Sequence, residues 1–303
     1  MSHSKAITPA TPLDIAVIVA LAAIWGSVFP AIKVGVAETG PLWLVAIRTG
    51  LATMVLVPWV LWRGLALPHG AAQWRLILVL SVCNVALPFM LIAWAQQDIP
   101  ASVTAVLLGA GPFFALIVGH FTAKDDRING LKVIAITVGF GGIMLIFWKD
   151  LELGGGLLPK LAVLAASLLY VFSGAISRRL SDVPPTRLAF LVFAVNSVVF
   201  LPLALVLAPV PTAMSATAIW ALLYVGVIPT GLATILRYVM IRRVGLTFYV
   251  QGMNLIPVFG VALGLVLVDE PLTLMLVLGL GLILTGLWIA RRAAGPSRKT
   301  EVI

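Results

Sequence analysis

The chain is expected to fold as an all-α polytopic membrane protein of ten transmembrane helices, arranged as two inverted five-helix repeats around a central cavity. Its composition, the length of its apolar runs and a recurrence at a fixed offset predict this. Of 303 residues, 61% are hydrophobic and only 10% charged, and the mean hydropathy is +1.13. A soluble domain carries about a quarter charged residues.

Ten runs are long enough to span hydrocarbon about 30 Å thick. They lie at roughly 13–35, 41–61, 75–96, 101–122, 130–148, 158–178, 186–208, 216–238, 246–268 and 272–290. The first is too long for a signal-peptide core and lacks a convincing cleavage site, so it counts as a span. The single cysteine, Cys83, falls in an apolar run and excludes an intramolecular disulfide.

Basic residues choose the orientation. With a cytoplasmic N-terminus, sixteen Lys and Arg fall in inner segments, among them Lys5, Arg63, Lys124, Arg127, Arg178, Arg187, Arg243, Arg291, Arg298 and Lys299. The outer segments hold three, Lys33, Lys149 and Lys160, and Arg48 lies within a span. That bias puts both termini in the cytoplasm. The net charge of +9 then reports topology rather than a nucleic-acid partner.

The repeat rests on pairs 145 residues apart: Trp25 with Tyr170, Lys33 with Arg178, Pro112 with Pro257, Phe114 with Phe259, Gly119 with Gly264, Asp125 with Glu270, and Gly141 with Gly286. Five spans per repeat is an odd number, so the second half must enter the membrane upside down. The repeats are assigned to residues 1–149 and 150–303, with the Gly-rich stretch from Lys149 to Pro159 as linker.

The stretch GAGPFF, Gly109 to Phe114, interrupts the fourth run near its middle. Pro112 cannot donate an N–H, which frees the carbonyl of Leu108, and Pro257 does the same for Met253 in the ninth run. A broken helix inside lipid needs protein, solvent or ligand beside it. Matched Gly/Pro interruptions in two halves point to a transporter's binding site. The expected hinge or gating set is Gly109, Gly111, Pro112, Pro257 and Gly260. On that reading Gly111→Leu or Gly260→Leu lowers transport more than folded yield.

The candidate binding residues carry competing readings. Trp25 and Tyr170 are twinned aromatics at mid-span, either packing between helices or walling a cavity. Met90 and Trp94 are one turn apart, and Trp94 also suits an interfacial aromatic belt. In the ninth run, Gln251 and Asn254 share a stripe beside Tyr249 and Met253. Their amides hold either a solute's charged groups or neighbouring helices. Asn84, a turn before Pro88, has the same ambiguity. Arg48 either snorkels outward or serves a structural or gating role.

The stretches AAIWGSVFPAIK (22–33), AIRTGLA (46–52) and VDEPLTLMLVLGLGLILTG (268–286) resemble the EamA-type drug/metabolite transporter superfamily, and most resemble its YddG-type bacterial amino-acid exporters. The resemblance implies a basket of eight helices around a cavity, with the fifth and tenth as supports. It also implies export of amino acids, aromatic ones especially, and related metabolites from a bacterial inner membrane.

Missing residues narrow the mechanism. All eleven Asp and Glu lie in loops or at span ends, so no midplane carboxylate serves as a proton relay. This disfavours a proton-coupled exporter of cationic drugs and favours neutral, zwitterionic solutes. A multidrug or nucleotide-sugar-like metabolite carrier stays as an alternative. An intramembrane enzyme needs a catalytic set that His3, His69, His120 and Cys83 do not assemble in sequence. The expectation is a monomer, without cofactor or metal, that is not an enzyme.

Overall fold

The computed structural model describes residues 10–64, 67–68, 70–122, 128–153 and 156–293, without the side chains of 122, 149–153 and 246–247. Asp125 and His69 lie outside the described residues, as do the basic residues Lys5, Lys124, Arg127, Arg298 and Lys299. Among the described residues the fold is wholly helical. In order these are α1 (Pro12–Gly26), α2 (Val28–Arg63), α3 (Gly70–Ser81), α4 (Leu87–Ala95), α5 (Ala101–Leu108), α6 (Gly111–Thr122) and α7 (Gly130–Leu153). Then come α8 (Leu157–Arg178), α9 (Pro185–Leu207), α10 (Ala216–Val225), α11 (Ala233–Val244), α12 (Leu246–Met253), α13 (Ile256–Leu267) and α14 (Leu274–Ala293). Two π-helical segments, Val82–Ala86 and Gly226–Leu232, join α3 to α4 and α10 to α11.

Nine helical stretches among the described residues are long and apolar enough to cross a membrane. The first, Pro12–Arg63, contains 52 residues. As one straight helix it would run about 78 Å, more than twice the hydrocarbon thickness. It is not straight. Ser27 forms a turn between α1 and α2, and Gly40 inside α2 has φ 69° and ψ 170° directly before Pro41. Only glycine adopts that φ cheaply, so the chain turns where the sequence puts its first boundary.

Hydrogen bonds gather the helix ends into two groups. At one end, Lys33 Nζ donates to the carbonyls of Gln96 (2.7 Å) and Ile99 (3.1 Å). Glu38 there accepts from the Ser215 N–H (2.7 Å) and hydroxyl (2.6 Å), and Glu270 accepts from the Ala101 and Ser102 N–H groups at the start of α5. A carboxylate there satisfies orphan donors of a helix N-terminus. At the opposite end Asp14, which closes a capping box with Thr11, pairs with Arg243 at 2.7 Å. Gln73 donates to Asp182 and Arg187 to the Gly64 carbonyl on the same side.

Glycine contacts between two pairs of helices set the interior. A Cβ on Gly142 of α7 would stand 2.6 Å from the Gly279 carbonyl of α14, so those two helices pack backbone to backbone. Along α5 and α13 the partners pair in reverse order: Ser102 with Gly264, Ala105 with Gly260, Gly109 with Pro257. The two helices therefore run antiparallel. Large apolar side chains such as Val206, Trp220 and Val266 stay exposed, each above two-thirds, as a lipid-facing surface requires.

Candidate functional site

The two breaks meet in the middle of the fold. Between α5 and α6, Gly109 and Ala110 turn the chain, and the Leu108 carbonyl that Pro112 frees accepts a hydrogen bond from Ser167 Oγ of α8 at 3.2 Å. Between α12 and α13, Asn254 and Leu255 form the corresponding turn. A Cβ on Gly109 would stand 3.1 Å from the Pro257 ring and 2.9 Å from the Val106 carbonyl, so a larger residue cannot enter without moving backbone.

Beside the breaks lies a cavity of about 840 Å³, within the size range of small-molecule sites. Of the sequence candidates, Trp25, Asn84, Tyr170, Met253 and Asn254 line it, together with Gly109, Gly111, Pro112 and Pro257. The lining extends to Ser181, Val183 and Pro185 at the Asp14–Arg243 end. Among the described residues it includes none of the groups that hold the Lys33–Glu38–Glu270 end together. The cavity thus reaches one end of the molecule.

Four candidates stand elsewhere. Met90 packs against the main apolar cluster. Trp94 lines a separate cavity of about 640 Å³ with Asp98, Pro100, Lys160 and Thr273. Tyr249 is 3% exposed, packs edge-on against Trp25 at 6.4 Å, and has a buried hydroxyl with no hydrogen-bond partner among the described residues. Gln251 is half-buried outside the cavity wall. Gly260 also departs from the hinge expectation. It sits inside α13 rather than at the turn, and a Cβ there would collide with Ala105 and stand 3.1 Å from the Phe29 ring. Its size serves packing, so Gly260→Leu is expected to cost folded protein.

Several wall residues have no distinctive sequence signal: Phe29, Ile32, Phe89, Val192 and Phe193 are ordinary apolar residues until the fold turns them inward. Arg48 is different. It does not snorkel outward. It is 7% exposed, donates from Nε to Thr230 Oγ1 at 2.8 Å, and lies 3.7 Å above the Phe89 ring. Thr230 in turn donates to the Val225 carbonyl at 2.6 Å, the acceptor that Pro229 leaves without its helical N–H. Trp25 Nε1 donates to the Pro229 carbonyl at 3.0 Å. A proline-widened π segment thereby supplies anchors for both Arg48 and Trp25. The adjacent Thr230 was a readable hint, because a hydroxyl next to an intrahelical proline can satisfy the freed carbonyl.

A model of the EamA-like transporter family matches the sequence twice, over residues 13–148 and 157–292. The chain belongs to that family. This EamA-like protein is therefore a multi-pass membrane transporter of the drug/metabolite superfamily. It is 23% identical to the uncharacterized transporter YoaV of Bacillus subtilis, over 90% of this chain and 94% of that one. It is 24% identical to a protein of Escherichia coli named a probable amino-acid metabolite efflux pump, over 88% and 90% of the two chains. The uncharacterized inner membrane transporter YedA of the same organism matches 54% of this chain at 28% identity. One solved crystal structure superposes with a TM-score of 0.65 at 17% identity, covering 94% of this chain and 99% of that chain. That likeness concerns the EamA-like fold alone.

Proposed function

We propose that this EamA-like transporter exports amino acids, aromatic and other neutral or zwitterionic ones, and related small metabolites from a bacterial inner membrane by alternating access. The observation that carries the reading is the cavity at the two helix breaks. It combines aromatic walls at Trp25 and Tyr170 with amides at Asn84 and Asn254, and no Asp or Glu lines it among the described residues. Aromatic surface suits an apolar side chain, and the amides suit polar ends. A proton-coupled drug carrier would need an acid in that wall. One relative's name, a probable amino-acid metabolite efflux pump, agrees with the reading.

The architecture that goes with it is ten spans, obtained by dividing Pro12–Arg63 at Gly40, in two inverted five-helix repeats, 1–149 and 150–303. Three observations support it. The family matches are displaced by nearly the same offset as the residue pairs. The turns at Gly109–Ala110 and Asn254–Leu255 are 145 residues apart. The π segment Val82–Ala86, moved by that offset, falls inside Gly226–Leu232. With both termini cytoplasmic, as the basic residues favour, the Lys33–Glu38–Glu270 end is external and closed, and the cavity faces inward. The halves would rock about the broken helices, opening the external end as the other closes.

Counterflow in proteoliposomes tests this. Vesicles preloaded with unlabelled phenylalanine should take up labelled phenylalanine without any ion gradient. Transport strictly dependent on a proton gradient, with no exchange across an amino-acid panel, contradicts the reading.

A further inference from the structure

We infer that Arg48 is the anchor for the substrate's carboxylate, so that the cavity selects solutes carrying that group; the inference rests on the cavity being the transport site. Arg48 is more than nine-tenths buried, yet its side chain belongs to the cavity wall. Its Nε is committed to Thr230 and one face of its guanidinium is covered by Phe89. Those two contacts fix the plane of the group while leaving the N–H groups of its two terminal nitrogens as donors. A guanidinium so held is matched to two parallel hydrogen bonds from a carboxylate.

Among the described residues the cavity supplies no anion of its own. The lining contains the buried Arg48 and the exposed Arg237, and among the described residues no acidic side chain. The described acids whose partners are known are engaged at the helix ends: Asp14 with Arg243, Glu38 with Ser215, Asp182 with Gln73, Glu270 with the start of α5. A buried cation without a counter-charge is costly, and a solute that brings the counter-charge recovers that cost on binding. An amine without a carboxylate meets Arg48 as a like charge. Three related probes are therefore expected to separate: phenylalanine binds, 3-phenylpropionate (carboxylate, no ammonium) binds, and phenethylamine (ammonium, no carboxylate) does not.

A purely structural Arg48, tying α2 to Gly226–Leu232 through Thr230, would affect stability but not this order. The test compares wild type, Arg48→Gln and Arg48→Lys in detergent. Binding is read from the rise in melting temperature over a titration of each probe at matched ionic strength, and phenylalanine exchange is read in proteoliposomes. The expected result is that both carboxylates stabilise the wild type and phenethylamine does not. Arg48→Gln should weaken the carboxylates about tenfold or more, and Arg48→Lys should retain part of the affinity. If Arg48→Gln is not recovered folded, the wild-type order and the Lys variant decide. Binding of 3-phenylpropionate but not phenylalanine would keep the Arg48 assignment and reject amino acids as substrates. Exchange of phenylalanine with equal binding of phenethylamine, or a Gln variant with unchanged carboxylate affinity, would overturn the assignment and leave amino-acid export standing. No binding of any probe to the wild type would overturn both.

Discussion

The breaks at Gly109–Ala110 and Asn254–Leu255 occupy matching places in the chain but are built from different chemistry. The first is small and apolar. Its glycine is squeezed between the Val106 carbonyl and the Pro257 ring, and its freed carbonyl is met by Ser167. The second carries an amide at the turn itself, and Asn254 lines the cavity. Equal backbone geometry therefore does not imply equal duty: one turn exists so that two helices can touch, while the other presents a polar group where they do.

That contrast can be broken by substitution, and the largest effects belong to the glycines. Gly260→Leu and Gly109→Leu should abolish most folded protein, because overpacking of about 1–3 kcal/mol is typical and here the obstacles include backbone or β-carbon atoms. Size-exclusion yield and melting temperature check this. Gly111→Ala should be tolerated, since a Cβ there meets only the Ser167 hydroxyl, at 3.3 Å. If Gly260→Leu folds normally and only transport falls, Gly260 returns to the hinge.

Asn254→Ala should leave the melting temperature nearly unchanged while lowering phenylalanine exchange about five- to tenfold, the worth of roughly one hydrogen bond. A parallel loss of stability would make Asn254 glue between helices. Ser167→Ala should cost about 1 kcal/mol of stability, because it removes the partner of the Leu108 carbonyl. Trp94→Phe should be the mildest, with exchange staying within about twofold of wild type, since Trp94 lines a different cavity.

What could be read in advance follows from which interactions are local. Proline at 112 and 257 withdraws a hydrogen bond whatever surrounds it, so both breaks were legible; the aromatic pair Trp25 and Tyr170 was readable as a pair, but packing and cavity wall stayed open until the fold placed both in the lining. Direction was not legible. Apolar runs give little indication of which side meets lipid and which meets cavity, and that is why Tyr249 and Gln251, on either side of a wall residue, face elsewhere. Arg48 stood out as a lone charge, but its partners are Phe89, 41 positions away, and Thr230, 182 positions away. Only the tertiary fold could separate a guanidinium reaching for the surface from one held in a cavity wall. The Gly40 turn was visible as a boundary, yet helix continues so closely on both sides that length alone treats Pro12–Arg63 as one span.

The central claim is that solute passes through the cavity beside the two breaks. Asn254→Trp tests it most directly by filling that space from one wall. With purified protein in proteoliposomes, the account predicts that wild type exchanges labelled phenylalanine and that Asn254→Trp, recovered folded and with a similar melting temperature, exchanges almost none. A folded Asn254→Trp protein that exchanges phenylalanine at the wild-type rate would contradict it.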